Sequence, residues 1–300
     1  MSVAEWIAVD WGTSNLRAWA MQGVKPFDQV TSNKGMGGLT PDQFAPILAE
    51  LLGDWLDGNP PIFACGMLGA RQGWIEAPYR ATPCAALAPA SELTKAPTDD
   101  PRLNVYIAPG VSQDKPADVM RGEETQIAGF LSQSPSFDGI LCLPGTHTKW
   151  VHISAGEIVS FRTFMSGELF ALLSKQSVLR HSVDTDQFDD AAFGEAVSDA
   201  MSRPERLAAE LFGLRASGLL HGQPPDVARA RLSGLLIGAE LAAARPYWLG
   251  QPVALIGEPD LSWLYARALG SQGLSTERAD SASLTLAGLS AIYHSQKGTP

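Results

Sequence analysis

An α/β protein of two related domains is the fold class this sequence predicts, and three observations carry the prediction. The chain has 300 residues, more than one compact core usually holds. Strand-like apolar runs alternate with segments of helical spacing along most of its length. A strand, a small polar turn and a second strand occur at residues 7–20 and return from Gly139 to Phe164, so the same unit opens each half. The expected division is an N-terminal α/β domain over 1–112 and a C-terminal one over 113–300, the two facing one another.

The elements follow in order. Trp6 to Val9 form an apolar run suited to a buried strand that ends at Asp10. Gly12 permits a sharp reversal, and Thr13, Ser14 and Asn15 offer hydroxyl, amide and main-chain donors at the bend. Leu16, Ala18 and Ala20 then alternate with Arg17 and Trp19 as a pleated strand requires. Such a turn can hold phosphate oxygens. Asp10 can hold the magnesium that accompanies them, because that cation takes oxygen ligands and keeps most of its waters. An ordinary Asp-Gly hairpin would use the same residues.

Asp42 to Trp55 has helical spacing in Phe44, Ile47, Leu48, Leu51 and Leu52, with Pro41 at the first turn. Pro61–Cys65 reads as a short buried strand entering the glycine-rich stretch Gly66–Trp74, a ligand edge by its position after a strand. Thr82 to Pro101 has no period and is expected to cross the surface. Asn104–Gly110 is a strand ending in a turn. From Asp118 onward, Ile127, Phe130 and Leu131 share one helical face. Gly122 lies at that helix's start, so Glu123 and Glu124 occupy its first turn. Acidic residues there also complement the positive helix N-terminus, by about 0.3–1 kcal/mol each.

Gly139–Leu143 is the next strand, followed by the turn Pro144–Lys149 and two strand-like runs. Helices are expected over Gly167–Leu179, Asp189–Met201, Glu205–Leu214 and Asp226–Ala244. A strand over Pro252–Ile256, the turn Gly257–Asp260, a helix through Leu269 and a closing helix over Ala282–Tyr293 complete the chain.

Composition narrows the function. A net charge of −10 argues against a nucleic-acid surface, which needs clustered Lys and Arg, but not against a small anionic substrate bound in a cleft. The N-terminus has no basic region ahead of an apolar core, and the apolar stretch Leu235–Ala244 is interrupted by Glu240 and too short to span a bilayer. Cys65, Cys84 and Cys142 are odd in number and widely spaced, which fits reduced thiols in a cytoplasm. The five histidines lack zinc-site spacing. No Walker A loop, no dinucleotide-binding Gly-x-Gly-x-x-Gly after a strand and no nucleophile elbow is present. No pattern in the sequence encodes an oligomeric state.

Four motifs carry a resemblance. They are Val9–Arg17, Cys65–Met67 with Gly73–Trp74, Met120–Gln126, and Leu143–Trp150. With the late strand–glycine–helix, the chain resembles the sugar kinase, Hsp70 and actin superfamily over nearly its whole length. Within it, the chain is similar to the 2-dehydro-3-deoxygalactonokinase family. The resemblance implies two ribonuclease H-like (actin-like ATPase) domains with mixed sheets flanking a cleft for nucleotide and substrate. It implies an ATP- and Mg²⁺-dependent kinase that phosphorylates the C6 hydroxyl of 2-dehydro-3-deoxy-D-galactonate in galactonate catabolism. Another sugar or sugar acid, or a nucleotide and sugar sensor without turnover, is the alternative.

Roles follow by position. Asp10 would position Mg²⁺, and Gly12, Thr13, Ser14 and Asn15 would form the first phosphate loop. Gly145, Thr146 and Thr148 would form the second, with Lys149 adding charge and Gly257 lying near adenosine. Related kinases place an Asp after a glycine at the start of the helix before the second loop as general base; here Glu123 occupies that place, with Glu124 and Asp118 as alternatives. The sugar-acid carboxylate needs a cationic pocket, for which Arg71 and Arg121 qualify, with Gly37 and Trp74 as walls. His147 is expected to contact a phosphate or cap its own turn.

Overall fold

The computed structural model describes residues 3–297. The strands β1 (Trp6–Trp11), β2 (Leu16–Gln22) and β3 (Lys25–Ser32) open the chain. Next comes α1 (Phe44–Leu52), flanked by 3₁₀ turns at Pro41–Gln43 and Gly53–Leu56. The spacing read over Asp42–Trp55 is thus divided among three pieces. The strands β4 (Pro61–Gly66), β5 (Tyr79–Ala81), β6 (Cys84–Ala85), β7 (Thr94–Lys95), β8 (Asn104–Ile107), β9 (Gly110–Gln113) and β10 (Asp118–Met120) precede α2 (Glu123–Gln133). Then follow β11 (Gly139–Leu143), β12 (Thr148–Ser154) and β13 (Glu157–Phe164). The helices α3 (Ser166–Lys175), α4 (Asp190–Ser202), α5 (Leu207–His221), α6 (Pro225–Ala243) and α7 (Arg245–Trp248) lead to β14 (Val253–Gly257), α8 (Pro259–Gly270), β15 (Thr276–Asp280) and α9 (Ser281–Lys297).

Two six-stranded sheets result, ordered β3-β2-β1-β4-β8-β7 and β15-β14-β11-β12-β13-β6, with β10-β9-β5 as a small third sheet. In the first, β1 is antiparallel to β2 and parallel to β4, which is parallel to β8. In the second, β11 is parallel to β14, and β14 to β15. Each opening strand therefore has its next two strands in sequence on one side and two parallel strands on the other. The recurring strand, turn and strand of the sequence is a recurring mixed sheet.

Contacts divide the chain into two compact units, Met1–Asp138 with Ile153–Ser160 and Ser281–Pro300, and Gly139–His152 with Phe161–Asp280. This division differs from a boundary at residue 112. The helix that carries Glu123 belongs with the first sheet, because α2 and α9 pack backbone to backbone. A Cβ at Gly129 would overlap the Leu284 carbonyl oxygen, and one at Gly288 would overlap that of Thr125. Gly288→Ala is accordingly expected to destabilise the protein by about 1–3 kcal/mol, the usual cost of overpacking. A urea unfolding midpoint equal to that of the native chain would show that the helices move apart freely.

Alternation along β1 fixes the site. Ile7, Val9 and Trp11 enter one apolar cluster with Phe44 and Leu48. Trp6 and Ala8 face the opposite way, into a cluster with Phe63, Cys65, Leu289 and Tyr293. Successive side chains point to opposite faces, so Asp10 follows Trp6 and Ala8 onto the face covered by α9. In the second unit, Cys142, Trp150, Leu255 and Tyr265 form a core with α4 and α6. No helix among the described residues is long and apolar enough to cross a membrane.

Candidate active site

In the first unit the site is built from the end of β1, the end of β4 and the start of α2. Asp10 lies opposite Arg17 on β2 and Cys65 on β4, and Trp11 lies opposite Gly66. Gly66 adopts φ 99° and Gly122, the N-cap of α2, φ 102°, a region open to glycine. A Cβ at Gly66 would lie 2.7 Å from the Trp11 carbonyl oxygen, and one at Gly122 would lie 3.3 Å from the Gly66 Cα. These close approaches bring the first turn of α2 to the strand ends where Asp10 sits.

Three carboxylates converge there. Burial pushes the Asp10 carboxyl up to about 6, against the pull of Arg17 and with a further push from the Glu123 charge. Glu123, half-buried, accepts a hydrogen bond from the Arg121 backbone N–H at 3.0 Å. Glu124 is buried, accepting from the Gly122 N–H at 2.7 Å and the Thr125 hydroxyl at 3.0 Å. Burial, and then the charge of Glu123, raise it from an ordinary 4.5 to about 7. Burial also pushes the Cys65 thiol well up, with Asp10 and Glu124 adding to the rise.

The folded state thus holds the Glu124 proton more tightly than the unfolded chain does. Its contribution to stability is complete below pH 4.5, declines as pH rises and is lost above about 7. Glu124→Gln keeps both hydrogen-bonding positions and removes the titration. It is expected to be more stable than the native chain above pH 7 by up to about 3 kcal/mol, the gap closing by pH 4. Urea unfolding at both pH values checks this; a gap that does not change with pH would contradict it.

The turn beside this cluster presents donors outward. Thr13, Ser14 and Asn15 are exposed, and the bend is closed by the Gly12 N–H donating to the Asn15 carbonyl at 2.9 Å. The segment Gly35–Gly38 props it from outside: the Met36 N–H donates to the Gly12 carbonyl at 3.0 Å and the Gly37 N–H to that of Thr13 at 2.9 Å. A Cβ at Gly35 would overlap the Ser14 backbone. Gly37 therefore supports the phosphate-loop candidate directly, a placement beyond the wall role expected for it.

The other substrate candidates separate. Arg71 is exposed and pairs with Glu76 at 3.2 Å. Arg121 is buried, its Nη2 donating to the Ala77 carbonyl at 2.7 Å and its guanidinium lying 4.4 Å from the Tyr79 ring centre. Its Nε and Nη1 are buried without hydrogen-bond partners. Trp74 is also buried: it stacks on Phe44 at 6.0 Å and donates Nε1–H to the Pro97 carbonyl, so it serves the core of the first sheet. Asp118 lies on β10, its Oδ1 accepting from the Val119 N–H.

In the second unit, Gly145 and Thr146 line a cavity of about 780 Å³ with Ser166, Arg229, Glu258 and Tyr265. That volume is in the range of nucleotide-sized ligands. Gly257, at the end of β14, does not line it but lets the chain pass beneath: a Cβ there would lie 2.9 Å from Ser262 Oγ and 3.1 Å from the Pro144 carbonyl oxygen. Thr148 and Lys149 turn inward instead of towards the cavity. Thr148 is fully buried with its hydroxyl 3.0 Å from that of Tyr265, and Lys149 is buried with Nζ donating to the His147 carbonyl. The alternation of β12 accounts for Thr148, whose position shares a face with the core residue Trp150. His147 Nε2 lies 2.6 Å from a Glu168 carboxylate oxygen.

The spacing of residues in the sequence brought Asp10 and Glu123 to notice. It gave less warning of Glu240, an acid inside α6 that is buried among apolar residues and bonded to Trp150 and Tyr265. Its signal in the sequence was one charge in the otherwise apolar stretch Leu235–Ala244.

A family model described as 2-keto-3-deoxy-galactonokinase matches residues 10–292. A probable 2-dehydro-3-deoxygalactonokinase from Rhizobium meliloti is 40% identical over 95% of both chains. The 2-dehydro-3-deoxygalactonokinase of Escherichia coli is 35% identical over 97% of this chain and 98% of its own. A crystal structure of a candidate kinase of this kind from Sinorhizobium meliloti, 39% identical, superposes with a TM-score of 0.90 over 98% of this chain and all of the other. Component A of (R)-2-hydroxyglutaryl-CoA dehydratase from Acidaminococcus fermentans, only 12% identical, shares the fold at a TM-score of 0.57 over 99% of each chain. Both the sequence match and the structural match run nearly end to end, and on them the chain belongs to the 2-keto-3-deoxy-galactonokinase family.

Proposed function

We propose that the chain transfers the γ-phosphoryl group of ATP to the C6 hydroxyl of 2-dehydro-3-deoxy-D-galactonate, giving the 6-phosphate in galactonate catabolism. The observation that carries the mechanism is the meeting of Asp10 and Glu123 beside the exposed Thr13–Asn15 turn. Phosphoryl transfer asks for alignment and charge neutralisation more than covalent help. Glu123 is the general base: its carboxylate is held by the Arg121 N–H and accepts the proton of the acceptor hydroxyl. Glu124, buried and twice hydrogen-bonded, holds the α2 start in place, and Asp118 is tied to its own strand.

Among the described residues no group of three His, Cys, Asp or Glu side chains forms a site that could hold a metal ion by itself. A single half-buried carboxylate, Asp10, beside a phosphate-binding turn fits Mg²⁺, which binds through one or two carboxylates, phosphates and water. The cation neutralises phosphate charge when bound. Gly12–Asn15 and Gly145–Thr146 are assigned to phosphate, and the cavity above Gly145 to the nucleoside. Three unpaired thiols, Cys65, Cys84 and Cys142, suit a cytoplasmic setting.

Arg71 is assigned to the substrate carboxylate, since an exposed pair with Glu76 is worth at most about 1 kcal/mol and exchanges readily for another anion. Arg121 is assigned to the buried side of the carboxylate cluster, where it opposes the charge of Glu124. Arg71→Ala is expected to raise KM for the sugar acid by about tenfold with the melting temperature unchanged, whereas Arg121→Ala lowers the melting temperature. The reverse pattern would exchange the two assignments. For the substrate itself, ADP release is to be compared across sugar acids and neutral sugars. A preference of about tenfold or more for 2-dehydro-3-deoxy-D-galactonate is expected, and an equal preference for a neutral sugar would overturn it.

A further inference from the structure

Beneath the cavity of the second unit lies a polar chain that no step above uses. Glu240, on α6, is 3% exposed, in a helix whose neighbouring positions are apolar. Its Oε1 accepts from Trp150 Nε1 at 2.9 Å and its Oε2 from the Tyr265 hydroxyl at 2.9 Å, and the Ser166 side chain also bonds to it. A tyrosine hydroxyl has one proton. Since Tyr265 gives that proton to Glu240, its oxygen accepts from the Thr148 hydroxyl 3.0 Å away. The chain therefore runs Thr148 to Tyr265 to Glu240. It ties together α3, α6, α8 and β12, the strand that leaves the Gly145–His147 turn.

Two of these partners, Ser166 and Tyr265, are themselves cavity walls beside Gly145 and Thr146. A buried carboxylate is costly unless its partners are complete, and breaking such a network costs more than any one of its bonds. Burial raises the Glu240 carboxyl, with Ser166, Trp150 and Tyr265 each opposing that rise, so the charged form depends on the groups it orients.

We propose that Glu240 is a positioning residue for nucleotide binding: through Tyr265, Ser166 and Thr148 it fixes the cavity wall and the exit of the second phosphate turn. This rests on the reading that the cavity takes the nucleotide. A residue needed only for folding would lower stability and disturb both substrates alike. A residue that shapes the nucleotide wall acts on ATP and leaves the sugar acid alone. Glutamine at 240 retains an acceptor for Trp150 and supplies an amide that can pair with Tyr265, so it is expected to rescue binding that alanine loses.

The test is calorimetric titration of ATP into the full chain and its variants, alongside KM for each substrate and a melting temperature. Glu240→Ala and Tyr265→Phe are expected to raise the Kd and KM for ATP by about tenfold or more, with KM for the sugar acid changed by less than about twofold. Glu240→Gln is expected to stay within about threefold of the native chain. If Glu240→Ala does not fold, Tyr265→Phe decides, since it removes one oxygen and keeps the ring. Native-like ATP binding by Tyr265→Phe, or equal losses for both substrates, overturns the proposal alone. A native chain that binds no ATP overturns the nucleotide reading and this proposal with it.

Discussion

Glu123→Gln is expected to lower kcat with ATP and 2-dehydro-3-deoxy-D-galactonate by about 10²-fold or more, with KM for both substrates little changed. Glutamine retains the size and the ability to accept the Arg121 N–H bond, so the turn at Gly122 keeps its form. What disappears is the capacity to take a proton as the acceptor oxygen gains its phosphoryl group. A neighbour's charge disappears too, so the Asp10 and Glu124 carboxyls both move down towards their ordinary range. Full activity in Glu123→Gln, with loss in Glu124→Gln, would pass the base role to the buried acid. Steady-state kinetics on the two variants separates these results.

Asp10→Asn carries the second large effect, a loss of about 10²-fold or more in kcat/KM that added Mg²⁺ does not restore. Asparagine is isosteric and keeps an oxygen at the end of β1, so the fold survives while the charge that the cation needs is gone. The native enzyme should show the same dependence in its pH profile. With Asp10 raised to about 6, its carboxylate is populated above that pH and protonated below it. The expected profile of kcat/KM falls as pH drops through about 6, which is the acid limb of a free-enzyme group. A profile flat from pH 5 to 8, or an Asp10→Asn variant with native turnover, would remove Asp10 from the chemistry.

The parts of this architecture that were legible in the sequence are those whose side chains report their surroundings. β1 and β11 are buried throughout or nearly so, and their apolar runs announced them. β3 and β15 did not announce themselves, since both lie at sheet edges with most residues exposed. Thr82–Pro101 read as irregular, yet it contributes β6 and β7, two-residue strands too short to show a period. The domain boundary was illegible for a related reason. The chain returns to its first unit at α9 through Gly129 and Gly288, and a glycine in a helix shows a close approach only once its partner is known.

The site was legible to the extent that it uses motif residues at turns. Asp10, Gly122 and Glu123 stood out by their order along the chain with the other motifs, since an Asp-Gly hairpin or an acidic helix start taken alone is common in ordinary scaffolds. Thr148 and Lys149 belong to the same kind of motif, yet both are buried, Thr148 on the face of β12 that also carries Trp150. Trp74 and Arg121 show the limit from the other side. Residue type marks both as fit for a sugar acid, and the fold buries both, Trp74 against Phe44 and Arg121 on the Ala77 carbonyl. Glu240 is hydrogen-bonded to residues 90 and 25 positions away, a relation that no local window contains.

The most direct test of the central claim is to incubate the protein with ATP, Mg²⁺ and 2-dehydro-3-deoxy-D-galactonate, then follow ADP release while the product is identified by mass and ³¹P NMR. One ADP per molecule of 6-phosphate formed is expected, with turnover lost in both Glu123→Gln and Asp10→Asn. ATP hydrolysis without a phosphorylated acid, or phosphate placed on another hydroxyl, would contradict it.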